Sequence, residues 1–184
     1  MCIRDSSSAA SALLESEGAS ALSLRAIARR TGVALGTVYY HYADKHALLA
    51  GLAVEGFRNL AEALHAAADA RGEVSGLRAA GMAYLAFVRA RPALYGLMYE
   101  MHDVGRREEV GEAESAAFAE MIRAIGQDFK PGSDPDVIRQ VAQAIWACAR
   151  GVAALALARG GPGRLDSETV REAVLGLEVL VSRR

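Results

Sequence analysis

Arg25, Arg29, Arg30 and Lys45 place four cations close together in the chain, with His41 and His46 at the end of the run and Thr37, Tyr39 and Tyr40 among them. Cations at this density can hold phosphate, and Thr, Tyr and His can donate to or accept from the polar edges of bases. Charge alone describes a solvated helix face equally well, so the spacing of the intervening residues decides. Val38 and Tyr42 are four apart, on one helical face. With both turned inward, Thr37, Tyr40 and His41 point outward, where an ordinary surface helix more often carries Lys and Glu. Thr37 then suits a base edge, whereas Tyr39 and Lys45 suit phosphate, which positions a module without reading sequence.

Side chains fit for catalysis occur elsewhere but do not assemble. His65 follows Glu62 by three residues with no nucleophile beside it, His102 and Asp103 stand alone, and Cys148 sits among alanines. The acidic residues Glu108, Glu109, Glu112 and Glu114 read as solvent-facing loop and helix, and no second Glu-x-x-His pair completes a di-metal site. Gly160-Gly161-Pro162-Gly163 is broken by proline and follows a helix rather than a strand, unlike a phosphate-cradling loop. Cys2 and Cys148 are the only thiols, too few for a disulfide framework or a four-ligand zinc site. The chain is therefore expected to be no enzyme, to need no metal or cofactor, and to work in a reducing cytoplasm.

The elements that position the cation-rich run are helices. Among 184 residues, 52% are hydrophobic and only 4 are proline, enough apolar surface for a sizeable core and for about one domain or a small module fused to a larger one. Alanine is abundant and β-branched residues sparse, so an all-α fold of about nine helices is expected. The segments are Ser8 to Glu17, Leu24 to Thr31 with Ser23 as N-cap, Leu35 to Tyr42, and Lys45 to about Ala70 with Asp44 as cap. They continue with Val74 to Arg91, Pro92 to Met101, Glu109 to Gln127, a helix capped by Asp134 and running to about Ala158, and one from Asp166 or Ser167 to near Ser182. Asp103 to Glu108, Lys130 to Pro135 and Arg159 to Gly163 read as loops. The Met1–Ser6 opening has no periodicity, no element is read into it, and Met1 to Ser8 lacks the apolar core of a secretory signal. Val141 to Ala158 is the most apolar stretch, but Gln143 and Arg150 within it mark a buried or interface helix rather than a membrane span.

Leu24 to Thr31 and Leu35 to Tyr42, joined by Gly32-Val33-Ala34, have the form of a helix-turn-helix. Ala28 is small enough for two helices to cross closely, Gly32 supplies the positive φ of the turn, and Val33 and Val38 fill the space between. The run Ser23-Leu24-Arg25-Ala26-Ile27-Ala28-Arg29-Arg30-Thr31-Gly32-Val33, followed by Gly36-Thr37-Val38-Tyr39-Tyr40-His41-Tyr42-Ala43-Asp44-Lys45-His46-Ala47-Leu48-Leu49, resembles the N-terminal domain of the TetR family of bacterial transcriptional regulators. The match spans about Ser11 to Leu52. It departs from the family in having only Arg4 before a Ser-rich start, and His46 where an acidic residue is common. The resemblance implies that Arg25 contacts the backbone at the groove edge, that Leu35, Thr37, Tyr40 and His41 face bases or adjacent phosphates, and that Tyr39 and Lys45 hold phosphate.

It also implies a homodimer on a palindromic operator in double-stranded DNA, formed by the last two helices in a four-helix bundle. Independently, Val137, Ile138, Val141, Ile145, Val152 and Leu155 in one helix, with Val170, Val174, Leu177, Leu180 and Val181 in the next, exceed what one amphipathic stripe requires. Ala142, Ala149, Gly151 and Ala153 permit close helix approach. Residues 1–50 are accordingly read as the DNA-binding domain and 51–184 as a ligand-binding and dimerisation domain.

Met82, Phe87, Tyr95, Met98, Tyr99, Phe118 and Trp146 can line an adaptable apolar pocket for a small-molecule effector or simply fill a core, and spacing alone favours the core. The stretch Ala83 to Tyr99 is similar to a TetR subgroup that carries Trp-x-x-x-His-Gly in its penultimate helix. Here the run is Trp146-Ala147-Cys148-Ala149-Arg150-Gly151. Arg150 in a cavity would favour an anionic or carbonyl-bearing effector; against the partner subunit or an acid such as Glu100 it would be a structural ion pair. The resulting expectation is a repressor released from its operator by a small molecule, with a protein-binding adaptor or a small helical enzyme as the alternatives.

Overall fold

The alanine- and leucine-rich composition is expressed as helix across the described residues. The structure, a computed structural model, describes residues 3–103 and 108–158 together with positions 172, 175, 176 and 179. Among the described residues every regular element is an α-helix: α1 (Ile3–Glu17), α2 (Leu24–Thr31), α3 (Leu35–His41), α4 (Lys45–Asp69), α5 (Gly76–Ala90), α6 (Pro92–Asp103), α7 (Glu108–Gly126) and α8 (Pro135–Ala158). The expected final helix falls almost wholly outside the described residues, as does the Arg159 to Gly163 loop. One helix start differs from expectation by more than two residues and another by two. The first helix starts at Ile3 rather than Ser8, because Ser costs only a few tenths of a kcal/mol relative to Ala once a helix is running. α5 starts at Gly76, two residues after Val74, since Asp128 caps it there.

The expected punctuation is in place. Ser23 Oγ accepts from Ala26 N–H at 3.1 Å and opens α2, and Gly32 closes it at φ 69° in the left-handed region. Asp44 Oδ1 accepts from Ala47 N–H at 2.7 Å ahead of α4, and Asp134 Oδ1 accepts from Asp136 N–H at 2.9 Å ahead of α8.

Two compact units are distinguished, Met1–Phe57 with Arg91–Ala113, and Arg58–Ala90 with Glu114–Arg184. In the first, α1 packs on α2 and α6, and α2 on α3. Its core holds Leu13, Leu14, Leu22, Ile27, Leu48, Leu52, Phe57, Leu94 and Met98. The tie between α1 and α6 is ionic at one end: the Glu15 carboxylate accepts from Leu94 N–H at 2.8 Å and from Ala93 N–H at 3.2 Å, capping the first turn of α6. A carboxylate there satisfies orphan amides and complements the helix dipole.

In the second unit, α5 packs on α8, with Leu77, Tyr84, Val88, Ala117, Met121, Ile145 and Trp146 buried. Asp128 accepts from the N–H groups of Gly76 and Leu77 at 2.7 and 2.8 Å. A Cβ on Gly76 would collide with the Ala124 carbonyl, so this start of α5 admits no side chain.

Candidate nucleic-acid interface and effector cavity

The interface is built from the turn outward. Gly32 lets α2 and α3 leave at an angle without strain, and Ala28 and Val38 are buried where the two helices are anchored. With Val38 only 2% exposed, the opposite edge of α3 faces solvent: Tyr40 is 86% and Tyr39 50% exposed, and Thr37 and His41 are exposed as well. Leu35 and Val33 are half-buried. The Tyr40 and His41 rings meet edge to face, with centroids 5.2 Å apart. Arg25, Arg29, Arg30 and Lys45 are all exposed, and Arg30 lies 3.8 Å from Glu17 of α1.

Tyr42, expected to turn inward with Val38, is half-buried. Its ring lies against α4 at Gly51, where an added Cβ would sit 3.0 Å from Tyr42 Cε1. The missing side chain at Gly51 seats the end of α3 on the first half of α4. An exposed edge of polar and aromatic groups on a short helix, with cations at both flanks, can enter a major groove while the cations rest on phosphates.

The side chains read from the sequence as pocket candidates do not form one group. Tyr95, Met98 and Tyr99 belong to the first unit and are buried there. Phe57 and Tyr99 meet edge to face at 5.4 Å, as do Tyr95 and Tyr99 at 5.0 Å, and Met98 fills the space left by Gly56. Phe87 is buried in the second unit, and Met82 is 40% exposed on α5. Phe118, Trp146 and Arg150, in contrast, come together at a cavity of about 280 Å³. Glu114, Ser115 and Gln143 complete its lining. The sequence reading missed those three; the i, i+4 pair Glu114–Phe118 and the i, i+3 pair Gln143–Trp146 are the signals that could have found them.

On α8, Ala142, Ala149 and Ala153 turn into the protomer's own core with Ile145. The outward face instead carries Val137, Ala144, Ala147, Cys148, Gly151 and Leu155, the last 61% exposed. Apart from one stripe with Arg139, Gln143 and Arg150, the helix is predominantly apolar on its remaining sides, so periodicity alone could not tell its inward from its outward apolar face. The last-helix positions Val170, Val174, Leu177, Leu180 and Val181 lie outside the described residues.

His65, a catalytic candidate, is engaged on both ring nitrogens: Nδ1 lies 3.0 Å from Glu120 Oε2 and Nε2 lies 3.2 Å from Asp69 Oδ2. Arg123 completes this network, with Nε donating to Glu120 at 2.7 Å and Nη1 to Asp69 at 2.9 Å. Burial pushes the Glu120 carboxyl up, but the hydrogen bonds from Arg123 and His65 outweigh it and hold the group below the usual carboxylate range. Among the described residues, no group of three or more His, Cys, Asp or Glu side chains is arranged to hold a metal, and no helix is long and apolar enough to cross a membrane.

Two family profiles match the chain. One, described as bacterial regulatory proteins of the tetR family, covers residues 8–52; the other, described as a tetracyclin repressor-like C-terminal domain, covers residues 77–176. No curated protein matches significantly. A protein of unknown function from Rhodococcus sp. RHA1 is 31% identical, with a TM-score of 0.71 over 94% of this chain and 89% of that one. The multidrug binding protein EbrR, solved with imidazole, shares the fold at 22% identity and a TM-score of 0.61, over 95% of this chain and 88% of that one. The transcriptional regulator FadR from Bacillus subtilis, solved with stearoyl-CoA, does so at 17% identity and a TM-score of 0.71, over 98% of each chain. A helix-turn-helix at one end and a matched repressor-like C-terminal domain thus account for most of the sequence, and the chain belongs to the TetR family of DNA-binding transcriptional regulators.

Proposed function

We propose that this regulator is a repressor that binds a palindromic operator in double-stranded DNA as a homodimer and is released by a small-molecule effector. It acts in the cytoplasm as a binding switch, not an enzyme, with residues 1–50 contacting DNA and 51–184 serving effector binding and dimerisation. The observation that carries the reading is the outward edge of α3, where Thr37, Tyr40 and His41 stand free of the core while Val38 fixes the helix from behind. Thr37, Tyr40, His41 and Leu35 face bases or adjacent phosphates, and Arg25, Tyr39 and Lys45 hold the backbone.

The outward apolar face of α8 supports pairing with a second copy, and the solved structures with imidazole and stearoyl-CoA support an effector site. Release follows if the effector prefers a conformation in which the two recognition helices no longer stand about one DNA turn apart, roughly 34 to 36 Å, or a multiple of it. α4 is one uninterrupted helix from Lys45 to Asp69, and its tilt would change that separation.

Two substitutions test the assignment. Lys45→Ala is expected to weaken specific and mixed-sequence duplexes alike and to reduce the slope of log affinity against log salt by about one. Thr37→Ala is expected to lower affinity for the preferred sequence by about 1–3 kcal/mol while leaving the salt slope unchanged. Equal loss of discrimination from both, measured by fluorescence anisotropy, would contradict this division of roles.

A further inference from the structure

The side-chain inventory of α3 limits which base chemistry the helix can read. In the major groove, guanine is specified by bidentate Arg or Lys, adenine by bidentate Asn or Gln, and cytosine by an accepting Asp or Glu. α3 runs Leu35-Gly36-Thr37-Val38-Tyr39-Tyr40-His41 and holds none of these. The exposed cations Arg25, Arg29 and Lys45 belong instead to α2 and α4. Hydroxyl groups donate to or accept from several bases and so discriminate weakly. What the outward edge of α3 offers beyond them is carbon, in the Thr37 methyl and the Tyr40 ring. Among the four bases, thymine alone presents a methyl group to the major groove.

The shape of that edge fits a methyl. At about 100° per residue, Gly36 and Tyr40 fall opposite the buried Val38, at the centre of the outward edge, with Thr37 to one side. Gly36 is exposed, and a Cβ built on it would meet nothing within 4 Å. It lies within the helix and has no left-handed φ, so neither the backbone nor packing inside the protomer requires glycine, and alanine would be the better helix former. What the missing side chain provides is a notch one methyl deep, open from outside, beside Thr37 and Tyr40. No side chain of the protomer fills it, and the Tyr40 ring is braced edge to face by His41 at 5.2 Å. A methyl group seated against this carbon leaves water, which is favourable.

We propose that α3 reads thymine through its C5-methyl group, received in the notch over Gly36 with the Thr37 methyl and the Tyr40 ring beside it. Each half-site then carries thymine at the position facing this notch, and recognition there is apolar contact rather than a bidentate hydrogen bond. This deepens the DNA-binding reading and rests on it.

The duplex that the full-length protein enriches from a random pool is remade with deoxyuridine in place of thymidine, one symmetric pair of half-site positions at a time, and affinity is read by fluorescence anisotropy. Uracil keeps every hydrogen-bonding group of thymine and lacks only the methyl. At the pair of positions facing α3, the exchange is expected to weaken binding about fifteenfold, or about fourfold for the buried methyl of each half-site. In mixed-sequence DNA, held through phosphate, it is expected to change nothing. Gly36→Ala puts a methyl where that of thymine would sit, so the preference for thymidine over deoxyuridine is expected to vanish or reverse. Thr37→Ser, which keeps the hydroxyl and removes the methyl, is expected to reduce the preference, and Thr37→Val to keep it. Circular dichroism checks that each variant is folded. Half-sites without thymine, equal affinity for the two duplexes at every position, or a thymidine preference that Gly36→Ala leaves intact overturns the methyl notch, while the enriched repeat itself keeps the DNA-binding reading standing. The absence of any enriched sequence overturns both.

Discussion

Arg123 gathers Glu120, Asp69 and the His65 backbone carbonyl around one guanidinium, and this residue-scale network gives the second unit a pH dependence of definite sign. Glu120 titrates below its ordinary range in the folded chain. Its contribution is therefore fully present above the unfolded carboxylate value and is lost as pH falls through the depressed folded value. Arg123→Met should destabilise the protein at pH 7 by about 1 kcal/mol or less, the group being well solvated. The gap to the parent should close below the carboxylate range, as read from urea unfolding at the two pH values; a gap that widens in acid would contradict the network. This cluster was illegible in the sequence because His65 and Arg123 are 58 positions apart, and helical spacing relates only near neighbours. The α3 residues were legible for the opposite reason. Thr37, Val38, Tyr40 and His41 lie within two turns of one helix, so burying one side chain fixes where the others point.

At the scale of elements, caps and breakers set nearly every boundary, and those are local signals: Ser23, Gly32, Asp44, Pro92 and Asp134 each act where the chain alone says they should. What the chain could not reveal is which element caps another. Glu15 in α1 holds the first turn of α6, a pairing 78 and 79 residues long in sequence that joins the DNA-binding helices to a helix outside the helix-turn-helix. Glu15→Gln retains one acceptor oxygen for two amides and loses the charge that complements the helix N-terminus. It should lower the unfolding free energy by about 1–2 kcal/mol with the m-value unchanged. An unshifted denaturation midpoint would show that the contact does not tie α1 to α6. The same limit explains the α8 faces. Outside the stripe with Arg139, Gln143 and Arg150, α8 presents small and aliphatic groups on both remaining sides, so only its packing on α5 shows that Ala142, Ala149 and Ala153 face in and Ala147, Gly151 and Leu155 face out.

For the whole molecule, an all-α regulator with its reading helix near the N-terminus was legible from composition, turn chemistry and the Tyr-x-His-aromatic-x-x-Lys run. The cavity was only half legible: Phe118, Trp146 and Arg150 meet there, while Tyr95, Met98 and Tyr99 fill a different core. The central claim is that two copies present the outward edge of α3 to successive major grooves. It is tested most directly by selecting bound sequences from a random pool of DNA duplexes with the purified protein. The account predicts enrichment of an inverted repeat whose half-sites are about one helical turn apart, or a multiple of it, with enrichment lost in a Thr37→Ala, Tyr40→Ala double variant that remains folded. Recovery of a single unrepeated site, or of no enriched sequence at all, would contradict it.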